Sequence, residues 1–299
     1  MGKNGEDIRN RFTICITSFE RHDMLRRLLD SIRERFVISP QIIVADNSEQ
    51  FPQIDGVVLI RLPFDSGVSA CRNALVEACN TKYMLLCEED FIFKADTRIQ
   101  DFIDILDDDE EVGVVGGRLV EEDKLNAYCC DFDRFRDTIA IHSSNGKWRS
   151  TGAGTTYRLC DMVFNWMLLR KEVAIETKWN NKYKLGEHWD WFWQLTKARQ
   201  WRVAMCPSVV AIHDRFKANV YQPFRERADE FCHEATLDNG FSVLHPLFKE
   251  PEEKLPNIVL MGVGHAGTTV AARMIADENS LRKRIADAPV HDAGSRGYP

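Results

Sequence analysis

The run Lys82–Phe93, KYMLLCEEDFIF, carries an apolar strand signal straight into three carboxylates, Glu88, Glu89 and Asp90. Acids that follow such a strand lie at the carboxyl edge of a sheet, where open α/β sheets place their ligands. Oxygen donors there suit a hard divalent cation, and such a cation suits a diphosphate. A solvated acidic loop would look the same in isolation. Three other strand ends also carry polar side chains: Thr17, Ser18 and Arg21 after the first apolar run, Asp46 after the second, and Asp65 to Arg72 after the third. Thr17 or Ser18 can hydrogen-bond a ribose or a phosphate. Asp46 can accept from the imide N–H of uracil or from a ribose hydroxyl, and Arg72 offers a fork of donors that matches a phosphate. Each has a plainer alternative, Asp46 as an Asx-turn and Arg72 as a solvated helix charge. Convergence at four successive strand ends favours a nucleotide site.

The elements that must position these groups alternate strand and helix, the pattern of a mostly parallel sheet. Phe12–Phe19 reads as a buried strand, and Leu25, Leu28, Leu29 and Ile32 recur at helical spacing behind it. Gln41–Ala45, Val57–Leu62 and Tyr83–Cys87 are further strands; Ser66 is a candidate cap for a helix starting near Gly67. A helix carries Ile99, Phe102, Ile103 and Leu106, a strand spans Val112–Val115, and Gly116-Gly117 reads as a turn. Residues 131–156 are irregular and read as a loop or hairpin excursion over a cleft. Met162–Leu169 resumes an apolar run, Trp201–Ile212 is a strand ending in His213, and Gln222–Leu237 reads as a polar helix.

Composition sets the bounds. The 299 residues, 44% hydrophobic and 28% charged, suit one large α/β domain plus a smaller unit. A net charge of −7 and the lack of a basic block exclude nucleic acid as the main partner. The first ten residues are polar, without the apolar core of a secretory signal, and no stretch has the length of a membrane span. Nine scattered cysteines with no C-x-x-C pair point to a reducing, cytoplasmic setting.

Four segments, ICITSFERHDMLRRLLDSI, IIVADNS, DSGVSACRNALVEA and YMLLCEEDF, resemble in order and spacing a nucleotide-sugar glycosyltransferase of the GT-A fold. The third is similar to that family's G-x-x-x-A-R-N segment with Cys71 in place of Ala. The fourth is similar to its D-x-D metal motif, with Glu88 where the first Asp is usual, which leaves Asp90 as the safer ligand. Leu185–Leu195, LGEHWDWFWQL, resembles the G-E-H-x-D-F-F element of inverting enzymes related to the β-1,4-N-acetylgalactosaminyltransferases. On a helical wheel Trp191, Phe192 and Leu195 share one face; Asp190 falls roughly opposite, and Glu187 about 60° from it, so both carboxylates are expected to point away from the core. A solvated helix N-terminus is the plain alternative.

The resemblance implies a metal-dependent inverting transferase that moves an N-acetylhexosamine or hexose from a UDP-sugar to a glycan or glycolipid hydroxyl. Asp190 is then the base, with Glu187 the second candidate; Asp90 and His213 hold Mn²⁺ or Mg²⁺, although a lone His at a strand end is often structural. Thr17, Ser18, Arg21, Asp46, Asp65, Arg72, Glu88 and Glu89 surround the donor. The expected layout is a polar tail over 1–10, the GT-A domain over 11–245, a Pro/Glu-rich linker over 246–256, and a short segment over 257–299. In that last segment NIVLMGVGHAGTTV gives strand, Gly-rich turn and helix, a P-loop-like unit without the Walker lysine. It resembles the opening of a phosphoadenosine-phosphosulfate-dependent sulfotransferase, cut short and expected to be inactive. Two other readings stand beside the transferase. A nucleotidyltransferase is disfavoured by T-S-F-E-R after the first strand, where a basic Gly-rich loop is expected; a non-catalytic glycan-binding module of a bifunctional protein would leave the acids vestigial. Peripheral membrane contact is compatible with the sequence, and oligomeric state is open.

Overall fold

The computed structural model describes residues 10–36, 39–214 and 222–246. Phe12–Ser18 (β1) leads into His22–Arg35 (α1), then Ile42–Asp46 (β2), Val58–Arg61 (β3) and Val68–Ala78 (α2). Tyr83–Glu88 (β4) and Phe91–Phe93 (β5) bracket the acids, before Ile99–Asp108 (α3) and the long strand Val112–Glu121 (β6). Short strands follow: Lys124–Ala127 (β7), Cys129–Phe135 (β8), Thr138–Ser143 (β9), Trp148–Ser150 (β10), Thr156–Cys160 (β11), Met162–Val163 (β12) and Met167–Arg170 (β13). Lys171–Glu176 (α4), His188–Ala198 (α5), Arg202–His213 (β14), Gln222–Arg225 (α6), Ala228–Asp238 (α7) and Val243–Pro246 (β15) complete the order.

These residues form two compact units, 10–129 with 146–235, and 130–145 with 236–246. The first is built on an eleven-stranded mixed sheet in the order β10-β11-β14-β6-β13-β4-β1-β2-β3, with β5 added on β14 and β7 on β6. β4, β1, β2 and β3 are parallel, as are β6 and β14; β13 runs antiparallel between β4 and β6. The expected α/β sheet is therefore present. Every residue of β1 and β2 is buried, as befits central parallel strands covered on both faces. Leu25, Leu28, Leu29 and Ile32 of α1 pack into the same core, with Trp166 set edge-on against Phe91 and Phe93. In the second unit β8 and β9 form an antiparallel hairpin and β15 joins β9 in parallel; the Arg134 guanidinium lies 5.4 Å from the centroid of Phe241.

Three expectations change. Gly116-Gly117 is no turn but the middle of β6. A Cβ on Gly116 would meet Val163 at 2.4 Å, and one on Gly117 would meet Trp166 at 2.6 Å, so the glycines admit neighbouring side chains instead of reversing the chain. Ser66 does not cap α2: its hydroxyl is buried with no hydrogen-bond partner, and Gly67 is the N-cap. The stretch 131–156 holds the β8–β9 hairpin, one of the two forms expected there, and β10. Gln222–Leu237 is two helices with a turn at 226–227. Among the described residues no helix is long and apolar enough to cross a membrane. Residues 1–9, 247–256 of the linker and the sulfotransferase-like segment 257–299 lie outside the described residues.

Candidate active site

The parallel strands set the site by register. Thr17 of β1 pairs with Glu88 of β4, and Ser18 pairs with Asp46 of β2, so three adjacent strands end level. A cavity of about 470 Å³ opens beside Thr17, Ser18, Glu88 and Glu89. Residues 184–188 form another part of its wall, seated on the first turn of α2. Val68 N donates to Lys184 O at 2.9 Å, and Ser69 Oγ to Tyr183 O at 2.7 Å. Gly67 makes that approach feasible. Its φ is +90°, and a Cβ there would lie 2.5 Å from Lys184 Cα.

The three acids have different surroundings. Glu88 Oε1 accepts from Asn165 Nδ2 at 2.7 Å and from Arg72 Nη2 at 3.1 Å. Glu89 is buried and accepts from Arg21 Nε at 2.9 Å; burial raises its carboxyl to about 7 despite that guanidinium. Asp90 accepts from Arg21 Nη1 at 2.7 Å, and His213 Nε2 lies 3.4 Å from the same carboxylate oxygen. Burial alone would raise Asp90, but His213 and Arg21 together hold it below the usual carboxylate range. His213 is raised in return: burial would lower it, while Asp90 and Glu121, the latter 2.6 Å from Nδ1, outweigh burial.

Arg72 joins two distant parts of the chain. It is 2% exposed, donates from Nη1 to Glu187 Oε1 at 2.5 Å, and holds Glu88 with its other arm. It faces acids and not the cavity, so the phosphate it was expected to meet has two carboxylates in its place. Glu187 and Asp190 also depart from expectation, since each is only 4% exposed instead of pointing to solvent. The helical wheel failed at the first turn of α5, where Trp189 and Asp190 are buried together with Trp191 and Phe192, whereas Lys197, two turns on, is exposed as the wheel predicts. Glu187 is the N-cap residue and lines the cavity; burial raises its carboxyl, with Arg72 opposing. Asp190, one turn on, accepts from Gln194 Nε2 at 3.0 Å and lies off the cavity wall. Between them, His188 is pushed down to about 3 by burial and by the Arg72 charge, a neutral imidazole.

Thr17, Ser18, Arg21, Asp65, Glu88, Glu89 and Glu187 thus share one wall, whereas Asp46, Arg72, Asp90, Asp190 and His213 do not line it. Asp46 is fully buried in the Asx-turn that was its plain alternative, its Oδ1 taking Ser48 N at 2.9 Å. Asp65, with φ +52°, pairs with Lys184 Nζ at 2.5 Å. The wall residues that the sequence reading missed include Asn47, Asn165, Lys184 and Arg225. With its amide set by its partners, Asn47 donates to Ser18 O at 3.0 Å and accepts from Ser66 N and Gly67 N at 3.2 and 2.9 Å. Asn47 in D-N-S and Asn165 inside VFNWMLL were legible as polar residues bordering or interrupting apolar runs; Lys184 and Arg225 carry no such signal.

A divalent cation fits this donor set. Asp90 Oδ1 is buried with no hydrogen-bond partner, an orphan oxygen beside an imidazole. Among the described residues no group of three or more His, Cys, Asp or Glu is gathered for a metal. A carboxylate completed by phosphate oxygens and water is the habit of Mg²⁺.

Residues 13–176 match the family described as Glycosyl transferase family 2. Human Beta-1,4 N-acetylgalactosaminyltransferase 1 is 28% identical over 211 residues, covering 67% of this chain and 38% of its own. Mouse Beta-1,4 N-acetylgalactosaminyltransferase 2 is 27% identical over 208 residues, covering 69% and 40%. The chain thus spans about two-fifths of the length of these relatives. The crystal structure of S. aureus TarS aligns with a TM-score of 0.49 at 11% identity, over 74% of this chain and 39% of that one. With more than half of its residues inside the family match, the chain belongs to glycosyl transferase family 2.

Proposed function

We propose that the chain transfers a hexose or N-acetylhexosamine from a UDP-sugar to a glycan or glycolipid hydroxyl, with inversion at C1. The observation that carries this reading is the level ending of β1, β2 and β4 at a cavity whose wall includes Glu187. The names of the relatives support an N-acetylhexosamine donor, and nine free thiols suit a reducing, cytoplasmic setting. Asp90 and His213 would hold Mn²⁺ or Mg²⁺, which when bound offsets charge developing on the leaving diphosphate.

The chain's own groups do the rest. Thr17 and Ser18 hydrogen-bond the ribose or phosphate, and Asn47 sits beside them, fixed by the turn that Asp46 closes. Glu187, held by Arg72, accepts from a sugar hydroxyl and orients it. Asp190, one turn along α5, accepts from the Gln194 amide. On the resemblance of 185–195 to the G-E-H-x-D-F-F element, Asp190 takes the proton of the acceptor hydroxyl as that oxygen attacks C1 from the face opposite the nucleotide and the C1–O bond to the diphosphate breaks.

A panel of UDP-sugars assayed with the cation varied tests the reaction. Asp190→Asn is expected to lower transfer about 10²- to 10⁴-fold while UDP binding stays nearly unchanged. Equal loss of UDP binding would move Asp190 from proton transfer to the donor site.

A further inference from the structure

A wall that receives a diphosphate needs cations, and the acids at this site engage nearly all those nearby. Arg21 is bound to Glu89 and Asp90, Arg72 to Glu88 and Glu187, and Lys184 to Asp65. Arg225 differs. It lines the same cavity, is exposed, and enters none of the ion pairs found among the described residues. Asp229, also on that wall and nearby in the chain, forms no ion pair with Arg225 or with any other of the described residues.

An exposed arginine is ordinarily a solvated charge, but this one is anchored. Phe224, its neighbour, stands edge-on to Phe19 at 4.9 Å between ring centroids and to Phe64 at 5.9 Å; Phe19 and Phe64 are 5.7 Å apart. Phe19 directly follows Ser18, and Phe64 precedes Asp65, so the three rings tie α6 to the strand ends that carry the wall. An amphipathic clasp of this kind fixes a short helix whose own hydrogen bonds are too few to do so.

We propose that Arg225 is the group that grips the diphosphate of the donor, with Phe224 its positioning residue. This rests on the UDP-sugar reading. A guanidinium forks onto two phosphate oxygens, whereas an ammonium meets them as a point charge.

Titration calorimetry on the full chain with Mn²⁺, using UDP and uridine as probes, separates the contributions. The wild type is expected to bind UDP more tightly than uridine. Arg225→Gln should lose about 10- to 100-fold for UDP and nothing for uridine, with Arg225→Lys recovering part of the loss. Unchanged UDP affinity in Arg225→Gln would overturn the assignment, and so would equal losses for both probes, which mark a structural role. A wild type that binds neither probe would overturn the UDP-sugar reading, and this assignment with it.

Discussion

Arg72 shows what a single side chain controls here. It lies between Glu187 at 2.5 Å and Glu88 at 3.1 Å, with its guanidinium 5.7 Å from the centroid of Trp179. Glu187 is nearly inaccessible, so a variant without the cation leaves its carboxylate buried and unpaired. Breaking a buried pair in that way costs about 3–5 kcal/mol, far more than the pair itself contributes. Arg72→Met is therefore expected to unfold at markedly lower urea, while Arg72→Lys, one point charge against two acids, falls between it and the wild type. Equal midpoints for all three proteins would mean the bridge carries no stability. None of this is legible in the sequence. Arginine at that position signals charge, but Glu187 is 115 residues away, and only the fold reveals that the charge is already matched. Asp46 is the opposite case, since its Asx-turn is a local property of D-N-S and could be read directly.

At the level of elements, the strands were legible and their contacts were not. β1, β2 and β4 are unbroken apolar runs, and the acids at their ends follow from chain order alone. The length of β6 was missed because paired glycines signal a turn unless the neighbours that fill their Cβ positions are known, and Val163 and Trp166 are distant in sequence. The seam between α2 and residues 183–187 is the same kind of feature, and it can be tested. Gly67→Ala combines a left-handed backbone with a 2.5 Å collision against Lys184, whereas Gly56→Ala, at φ +76°, meets nothing within 4 Å. The Gly56 variant should lose about 1–2 kcal/mol, the cost of left-handed φ alone. The Gly67 variant should lose a further 1–3 kcal/mol or so from overpacking and bind UDP more weakly, because the wall it displaces is the cavity's own. Matching losses in both variants would show that the seam yields without strain.

Across the whole molecule, the cavity draws on segments from Thr17 to Asp229, all of them within residues 10–129 and 146–235. No short stretch of unfolded chain gathers them, so a ligand that bridges them binds the folded state alone. Such a ligand at 100 times its dissociation constant stabilises by about 2.7 kcal/mol, which raises the thermal midpoint by several degrees in a chain of this size. The orphan oxygen of Asp90 adds a specific order to this effect. On the proposed UDP-sugar reading, two phosphates that enter without a cation meet a wall crowded with Glu88, Glu89 and Glu187, and much of the binding energy is lost to repulsion. UDP with Mn²⁺ is thus expected to raise the midpoint well beyond the sum of the two added separately. Asp90→Asn keeps the shape but removes the charge, so it should abolish that synergy while leaving the small effect of uridine in place. A synergy that survives in Asp90→Asn would place the cation elsewhere on the wall, with Glu88 and Glu89 the next residues to test.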